Sequence, residues 1–289
     1  MPTFHARFNA LITRLRYAGA WLRTRGMDDA PLARFRATAP DQTFYIIGAG
    51  ASVNDLSEAD CRRIEAGTSA SINMAALLPL EIDITSLELI ADAHQADAIA
   101  ARLSARRKPP LIWYQNRKKH DTEHWQALKQ SFSVFAYRRA SVSVRKRLDT
   151  YRYIFGRVMR PRLFDGADLR ISFAVTGSVA RLTLLGCALG YRRFCFVGID
   201  LGSTPYFWQE ATGLRGAPQW QDKSGRFNPK PTVDDFQTSA KVVPSFHDFL
   251  RILHEDSGVP LHFETLDPKG RSNLTKALKD GAIFAPAPE

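Results

Sequence analysis

The sequence predicts an α/β fold: a Rossmann-like, mostly parallel sheet with helices on both faces, plus an N-terminal amphipathic helix and a long lid loop. Three observations predict it. Short continuous apolar runs such as Phe44–Ile47 and Phe194–Val197 are bounded by glycine or polar residues, as strands buried on both faces are. Segments of helical periodicity alternate with those runs, which argues for parallel strands joined by crossover helices. Most runs close on glycine or a short polar side chain, at the strand ends where sheets of this kind bind ligands.

Length and composition set the outer bounds. At 289 residues, 45% hydrophobic and 24% charged, the chain can bury one large core and is short for two full domains. Residues 1–40 read as a basic amphipathic segment and 41–289 as a single domain. Cys61, Cys187 and Cys195 are an odd number without metal-ligand spacing, so they read as buried apolar groups and no metal site is expected. No stretch approaches the roughly 18 apolar residues of a membrane span, and no apolar signal core opens the chain. A cytoplasmic protein is expected, with peripheral attachment to the inner face of the cell membrane as a further option. The net charge of +11 is concentrated: from Arg102 to Arg162 there are 17 lysines and arginines against three acids. Such a block suits phosphate-bearing partners, and no nucleic-acid module accompanies it.

In chain order, residues 4–25 read as an amphipathic helix. Phe4, Phe8, Leu11, Ile12, Leu15, Ala18 and Leu22 recur at helical spacing, while arginine is the dominant charge elsewhere. That combination suits an anionic lipid surface, with packing on the domain or on a partner as the alternatives. Strand Phe44–Ile47 follows, then a helix from about Asn54 to Ala66 with Asn54 or Ser57 as cap. Strands are expected at 68–72, 86–91 and 111–114, with a helix from Gln95 to Arg106. Residues 115–170 read as mostly helical. A helix over Thr176–Leu189 ends at Gly190, and a strand closes at Gly198-Ile199-Asp200. Residues 202–236 lack periodicity and read as a lid, in which Phe207, Trp208 and Trp220 would close over a ligand. A helix over 240–256 and a strand over 261–264 complete the pattern.

Five clusters stand at element ends. Gly48-Ala49-Gly50-Ala51-Ser52 follows the first strand, where glycines allow a tight turn and close approach of backbone N–H groups to an anion. It lacks the last glycine of the dinucleotide fingerprint, which disfavours NAD. Asn73 and Asp92 close two further strands and suit contacts to a base, ribose or sugar hydroxyl, or act as helix caps. Thr176, Gly177 and Ser178 open a helix, as a seat for phosphate or carboxylate or as simple capping. Asp200 ends the most apolar strand, where it contacts a ligand or ties the following loop.

These motifs, Ile46 to Ser52, Ser71 to Asn73, Thr176 to Val179 with Ala188 to Tyr191, and Gly198 to Asp200, resemble the family 42 bacterial sialyltransferases over roughly residues 44–280. The chain is similar, more distantly, to archaeal-type 6-hydroxymethylpterin diphosphokinase-like proteins. The first resemblance implies a glycosyltransferase that moves sialic acid or a related sugar from a CMP-linked donor to a surface glycan or glycolipid, with no required cofactor or metal. Gly48, Gly50 and Ser52 would line the nucleotide site, Asn73 and Asp92 would reach the cytidine or sugar, and Ser178 the donor, with Thr176, Gly177 and Asp200 as further binding candidates from the residue reading. Of the tyrosines that bind the departing phosphate, the first is replaced by Gly202, and Tyr206 is nearest the second. The family's general-base histidine falls near Lys241, which leaves His247, Asp234 and Asp235 as candidate bases. The second resemblance implies pyrophosphate transfer with ATP and magnesium. A non-catalytic nucleotide-sugar-binding part in polysaccharide assembly is the third reading.

Overall fold

The computed structural model describes residues 2–87, 93–115, 123–142, 147–175, 177–201, 205–210, 213–217, 245–281 and 284. Asp92, Thr176, Gly202, Trp220, Asp234, Asp235 and Lys241 therefore lie outside the described residues, as does most of the expected lid.

A long helix α1 (Phe4–Leu22) and a short α2 (Ala30–Ala33) precede the sheet. Strand β1 (Thr43–Ile47) leads through a 3-10 turn (Ala51–Asp55) into α3 (Glu58–Ala66). The helix starts later than its sequence suggests because Ser57 caps it in a reciprocal box with Asp60, leaving Asn54 free for another task. Then come β2 (Thr68–Ile72), a 3-10 turn (Asn73–Leu77), β3 (Ile84–Leu87), α4 (Ala93–Ser104) and β4 (Leu111–Gln115).

The basic stretch departs most from expectation. It holds α5 (Glu123–Ser131), a full strand β5 (Val134–Ser141), α6 (Leu148–Ile154), a π turn (Phe155–Met159) and α7 (Arg160–Phe164). Strand β6 (Ile171–Ala174) follows. Two strands thus lie where helix was expected or nothing was assigned. In β5, Arg138 and Arg139 break the apolar run, although burial alternates from Val134 to Arg138 and Tyr137 stacks on Trp113 of β4 at 4.1 Å. α8 (Gly177–Ala188) and β7 (Arg193–Val197) agree closely with expectation; α9 (Phe246–Asp256) starts at its Ser245 cap rather than at residue 240, β8 (His262–Leu266) ends two residues later than expected, and α10 (Asn273–Lys279) is added at the end.

The eight strands among the described residues are parallel in one sheet, ordered β6-β5-β4-β3-β2-β1-β7-β8. Alternate residues feed two cores, one on each face. Phe44 and Ile46 of β1 and Phe194 and Phe196 of β7 pack with α8 and α9, whereas Tyr45, Ile47, Cys195 and Val197 pack with α3 and α4. The doubly wound α/β class is therefore observed. All three cysteines are buried and free. Burial pushes the thiols of Cys187 and Cys195 up to about 12, so both are inert at neutral pH. Among the described residues no helix is long and apolar enough to cross a membrane.

Candidate functional site

Because every strand points the same way, all the carboxyl ends share one rim. The chain starts in the middle of the sheet at β1, steps outward to β6, then returns to the other side of β1 through β7. The switch point of the fold is thus the β1–β7 pair, and the Gly-rich turn and Gly198-Ile199-Asp200 both emerge there.

The two loops close on each other. Gly48 N–H donates to Val197 O (2.8 Å) and Gly50 N–H to Gly198 O (2.9 Å), which extends the strand pairing past the strands. Ser52 donates twice to Asp200: its backbone N–H reaches Oδ2 at 3.0 Å, and its hydroxyl meets Oδ1. A Cβ on Gly50 would stand 2.5 Å from the Asp200 carboxylate, and one on Gly48 would strike the Gly198 carbonyl. The glycines are therefore required for loop-to-loop packing, a reason the sequence does not reveal. Asp200 is 5% exposed. Burial raises its carboxyl above the ordinary range, the Ser52 donors pull it back, and neighbouring Asp267 pushes it up.

A third layer of backbone covers the turn. Ala51 N–H donates to Pro205 O (3.1 Å), Phe207 N–H donates to Ala49 O (2.9 Å), and Tyr206 bridges Gly50 in antiparallel fashion. The Tyr206 ring lies flat on Trp208, 4.5 Å away. Phe207 and Trp208 are buried in the second core, so they anchor the base of the expected lid rather than closing it over a ligand. Asn54 holds the same segment: its amide donates to Phe207 O and Glu210, and its carbonyl accepts from Leu214 N–H. Glu210 pairs with Arg271, which also reaches Asp55 at 3.2 Å, while Lys269 holds Asp55 at 2.7 Å.

The neighbouring strand ends carry the other candidates. Asn73, just past β2, has φ +47°, and Leu201, just past Asp200, has φ +45°. Asparagine tolerates that left-handed region; a buried leucine does not, so Leu201 is a site of stored strain. Gly177 begins α8 with φ +58°, a conformation glycine adopts at little cost. Ser178 follows it and accepts from Arg181 at 3.3 Å. Arg181 is 7% exposed, and burial lowers its guanidinium to about 10. α8 starts from β6 at the far edge of the sheet and packs back onto β1 and β2. Direct contact joins Ser52 to Asp200 and Gly50 to Tyr206; Asn73 and Ser178 share the rim with them.

His247 lies in the first turn of α9, not in mid-helix, because Ser245 caps that helix and accepts from Asp248 N–H at 3.0 Å. Its neighbour Phe246 meets Phe196 of β7 edge-on at 5.6 Å, which puts His247 at the carboxyl rim. Sequence reasoning missed Asp267, the residue after β8 and thus beside the end of β7. Asp267 is 8% exposed; Oδ2 accepts from Ser272 N–H at 2.7 Å, and Oδ1 has no hydrogen-bond partner. The two buried acids differ in this respect: Asp200 spends both oxygens on Ser52, and Asp267 keeps one unspent. The sequence signal was an acid closing an apolar strand, hidden because β8 runs two residues longer than its apolar part suggests.

A cleft of about 670 Å3 opens at the opposite, amino rim, between Thr43, Tyr45, Arg63, Thr68 and Asp83. Arg63 pairs there with Glu264 and Lys108 with Asp83, and the cleft holds none of the motif residues. The carboxyl rim remains the better candidate on chemistry.

Fold and rim together define an α/β protein of the Rossmann-like type. The chain matches no established family model and no curated protein. Among solved structures it is similar to the MAf glycosyltransferase from Magnetospirillum magneticum AMB-1, at 18% identity and a TM-score of 0.45. The alignment covers 89% of this chain and 40% of that one, so this chain spans less than half the length of that protein. A likeness this distant carries no function across.

Proposed function

We propose that this protein is a glycosyltransferase that takes a sugar of the sialic acid class from a CMP-linked donor and delivers it to a hydroxyl of a glycan acceptor. The observation that supports it most is the Ser52–Asp200 contact. Two motifs 148 residues apart, each part of the sialyltransferase resemblance, meet at the switch point, where nucleotides bind in folds of this class.

In this reading the donor lies along the carboxyl rim. Asn73, Gly48 and Gly50 border the nucleotide, and the first turn of α8, with Gly177, Ser178 and the buried Arg181, receives an anionic group. The acceptor oxygen bonds to the anomeric carbon as the bond from that carbon to the phosphate oxygen breaks, and CMP departs with the electron pair. A base takes the acceptor proton. Asp267 is the buried acid with an oxygen to spare, and His247 at the start of α9 is the other described candidate; Tyr206 would donate to the departing phosphate. Water that reached the anomeric carbon would compete as acceptor.

A thermal-shift panel of CMP, CDP, UDP, GDP and ATP, with and without magnesium, tests the reading. Stabilisation by CMP without magnesium is expected, because a ligand that binds only the folded form raises its stability, by about 2.7 kcal/mol at a hundred times Kd. Stabilisation by ATP with magnesium alone would overturn it in favour of pyrophosphate transfer. Stabilisation by CMP with no sugar transferred or hydrolysed would leave a binding component of polysaccharide assembly.

A further inference from the structure

All of the large apolar side chains that stand exposed among the described residues belong to one helix. They are Phe4 (85%), Phe8 (51%), Leu11 (52%), Leu15 (59%), Trp21 and Leu22, all on α1. The helix is docked the opposite way round from an ordinary amphipathic helix. Its buried side is Ala6, Ala10, Thr13 and Ala20, packed on α6 and β5, while phenylalanine and leucine face outward. Were α1 present only to cover the core, the large groups would be the ones turned in, since each buried leucine or phenylalanine contributes most to the hydrophobic term. Phe4, Phe8, Leu11, Leu15 and Leu22 fall on one stripe at helical spacing, with Ala18 filling the gap.

Charge selects the occupant. The described helix carries no acid, and Arg7, Arg14, Arg16 and Arg23 flank the stripe on both sides, exposed. Arg14 reaches across to the carbonyl of Arg157 at 3.3 Å, so a further exposed arginine from the π turn borders the same face. A second copy of α1 would bring arginine against arginine. An anionic bilayer supplies both what the stripe lacks, apolar depth, and what its margins require, negative headgroups. Orientation follows from the packing. Arg16 donates to the carbonyl of Ser141 at the end of β5, and Arg170, just before β6, donates to that of Thr24. α1 therefore runs against the strands, with Phe4 and Phe8 at the carboxyl-rim end.

We infer that α1 seats the protein on an anionic lipid surface through Phe4, Phe8, Leu11, Leu15 and Leu22, with the carboxyl rim at the Phe4 end of this exposed stripe. The inference is independent of the transferase reading, and its test uses neither donor nor acceptor. The full chain is sedimented with phosphatidylcholine vesicles, with and without phosphatidylglycerol. Binding to the anionic vesicles, weakened by salt, is expected. The double variant Leu11→Ser/Leu15→Ser should weaken binding by about tenfold per leucine, and Arg7→Gln/Arg23→Gln by roughly fivefold per arginine on anionic vesicles. These side chains are exposed, so the melting midpoint should stay put, and a variant that melts early is replaced by Phe8→Ser alone. Binding unchanged by the leucine variants, or no binding to anionic vesicles, overturns the inference. A dimer abolished by those same variants would do so too, by assigning the stripe to a second copy.

Discussion

Ser52→Ala offers the most direct measure of the switch-point contact. The hydroxyl donates to Asp200 Oδ1, and no water can replace it at a residue that is 1% exposed beside an acid that is 5% exposed. The backbone N–H of Ser52 still serves Oδ2, so the loop stays in place while one carboxylate oxygen is orphaned. A hydrogen bond to a charged group contributes about 1.5–3 kcal/mol, so a loss of about 2 kcal/mol is expected. At roughly 2–4 °C per kcal/mol for a chain somewhat shorter than this one, the midpoint should fall by about 5 °C. The pH dependence gives the sharper test. The folded Asp200 carboxyl already sits above its ordinary value, so its contribution to stability is full below the unfolded pKa and declines as pH rises through the folded one. Removing a donor raises the folded pKa further, so the penalty should be larger near neutral pH than near about pH 4. Urea unfolding at the two pH values, with Asp200→Asn completing a double-mutant cycle, reads both effects. A penalty that is small, independent of pH and additive with Asp200→Asn would show that the two motifs do not meet, and the site built on them would go with it.

Two further outcomes follow from the same geometry. Gly50→Ala places a methyl 2.5 Å from the Asp200 carboxylate, so urea unfolding should show a loss of about 2 kcal/mol or more; a neutral result would mean the loops are farther apart than described. Asp267→Asn keeps the shape of a side chain whose Oδ1 has no partner, so folding should survive while transfer to acceptor falls by about 100-fold or more and CMP-dependent stabilisation is retained; if instead His247→Ala abolishes transfer and Asp267→Asn does not, the base is the histidine.

Most of the sheet was legible because strands buried on both faces write continuous apolar runs. β1, β4 and β7 announce themselves that way, β2 is marked instead by small residues that end at Asn73, and the helices between them carry regular periodicity. β5 and β6 were not legible, because Arg138 and Arg139 break the first run and Ser172 interrupts the second. The rim was legible for a related reason: glycine or a small polar residue must end a buried strand that turns at once. What those residues do there was not. Sequence cannot say that Gly50 makes room for Asp200 rather than for a phosphate, since either neighbour excludes a Cβ. Nor could it separate Asn54 as a cap from Asn54 as the tie to residues 207–214, which depends on Ser57 winning the cap through Asp60.

That distinction relocates the chemistry. With Ser52 and Asp200 bound to each other, the β1–β7 pair acts as a rigid floor, and a ligand at the rim must be met from its borders. On one side stands Asn73 at positive φ; on the other, Leu201 is held in a conformation that costs on the order of 1–3 kcal/mol and persists only where its surroundings fix it. The surroundings are identifiable: Ser272 donates to Ile199 O at 2.9 Å, and Asn273 N–H donates to Asp200 O at 2.9 Å, so α10 clamps the strained segment from beyond. The same turn presents Ser272 N–H to Asp267 and leaves its second oxygen unspent. A fold that merely needed to close a sheet would have no reason to keep a strained leucine and a half-satisfied buried acid on adjoining strand ends. Both are accounted for if that corner, rather than the Gly-rich turn, handles the proton of the acceptor.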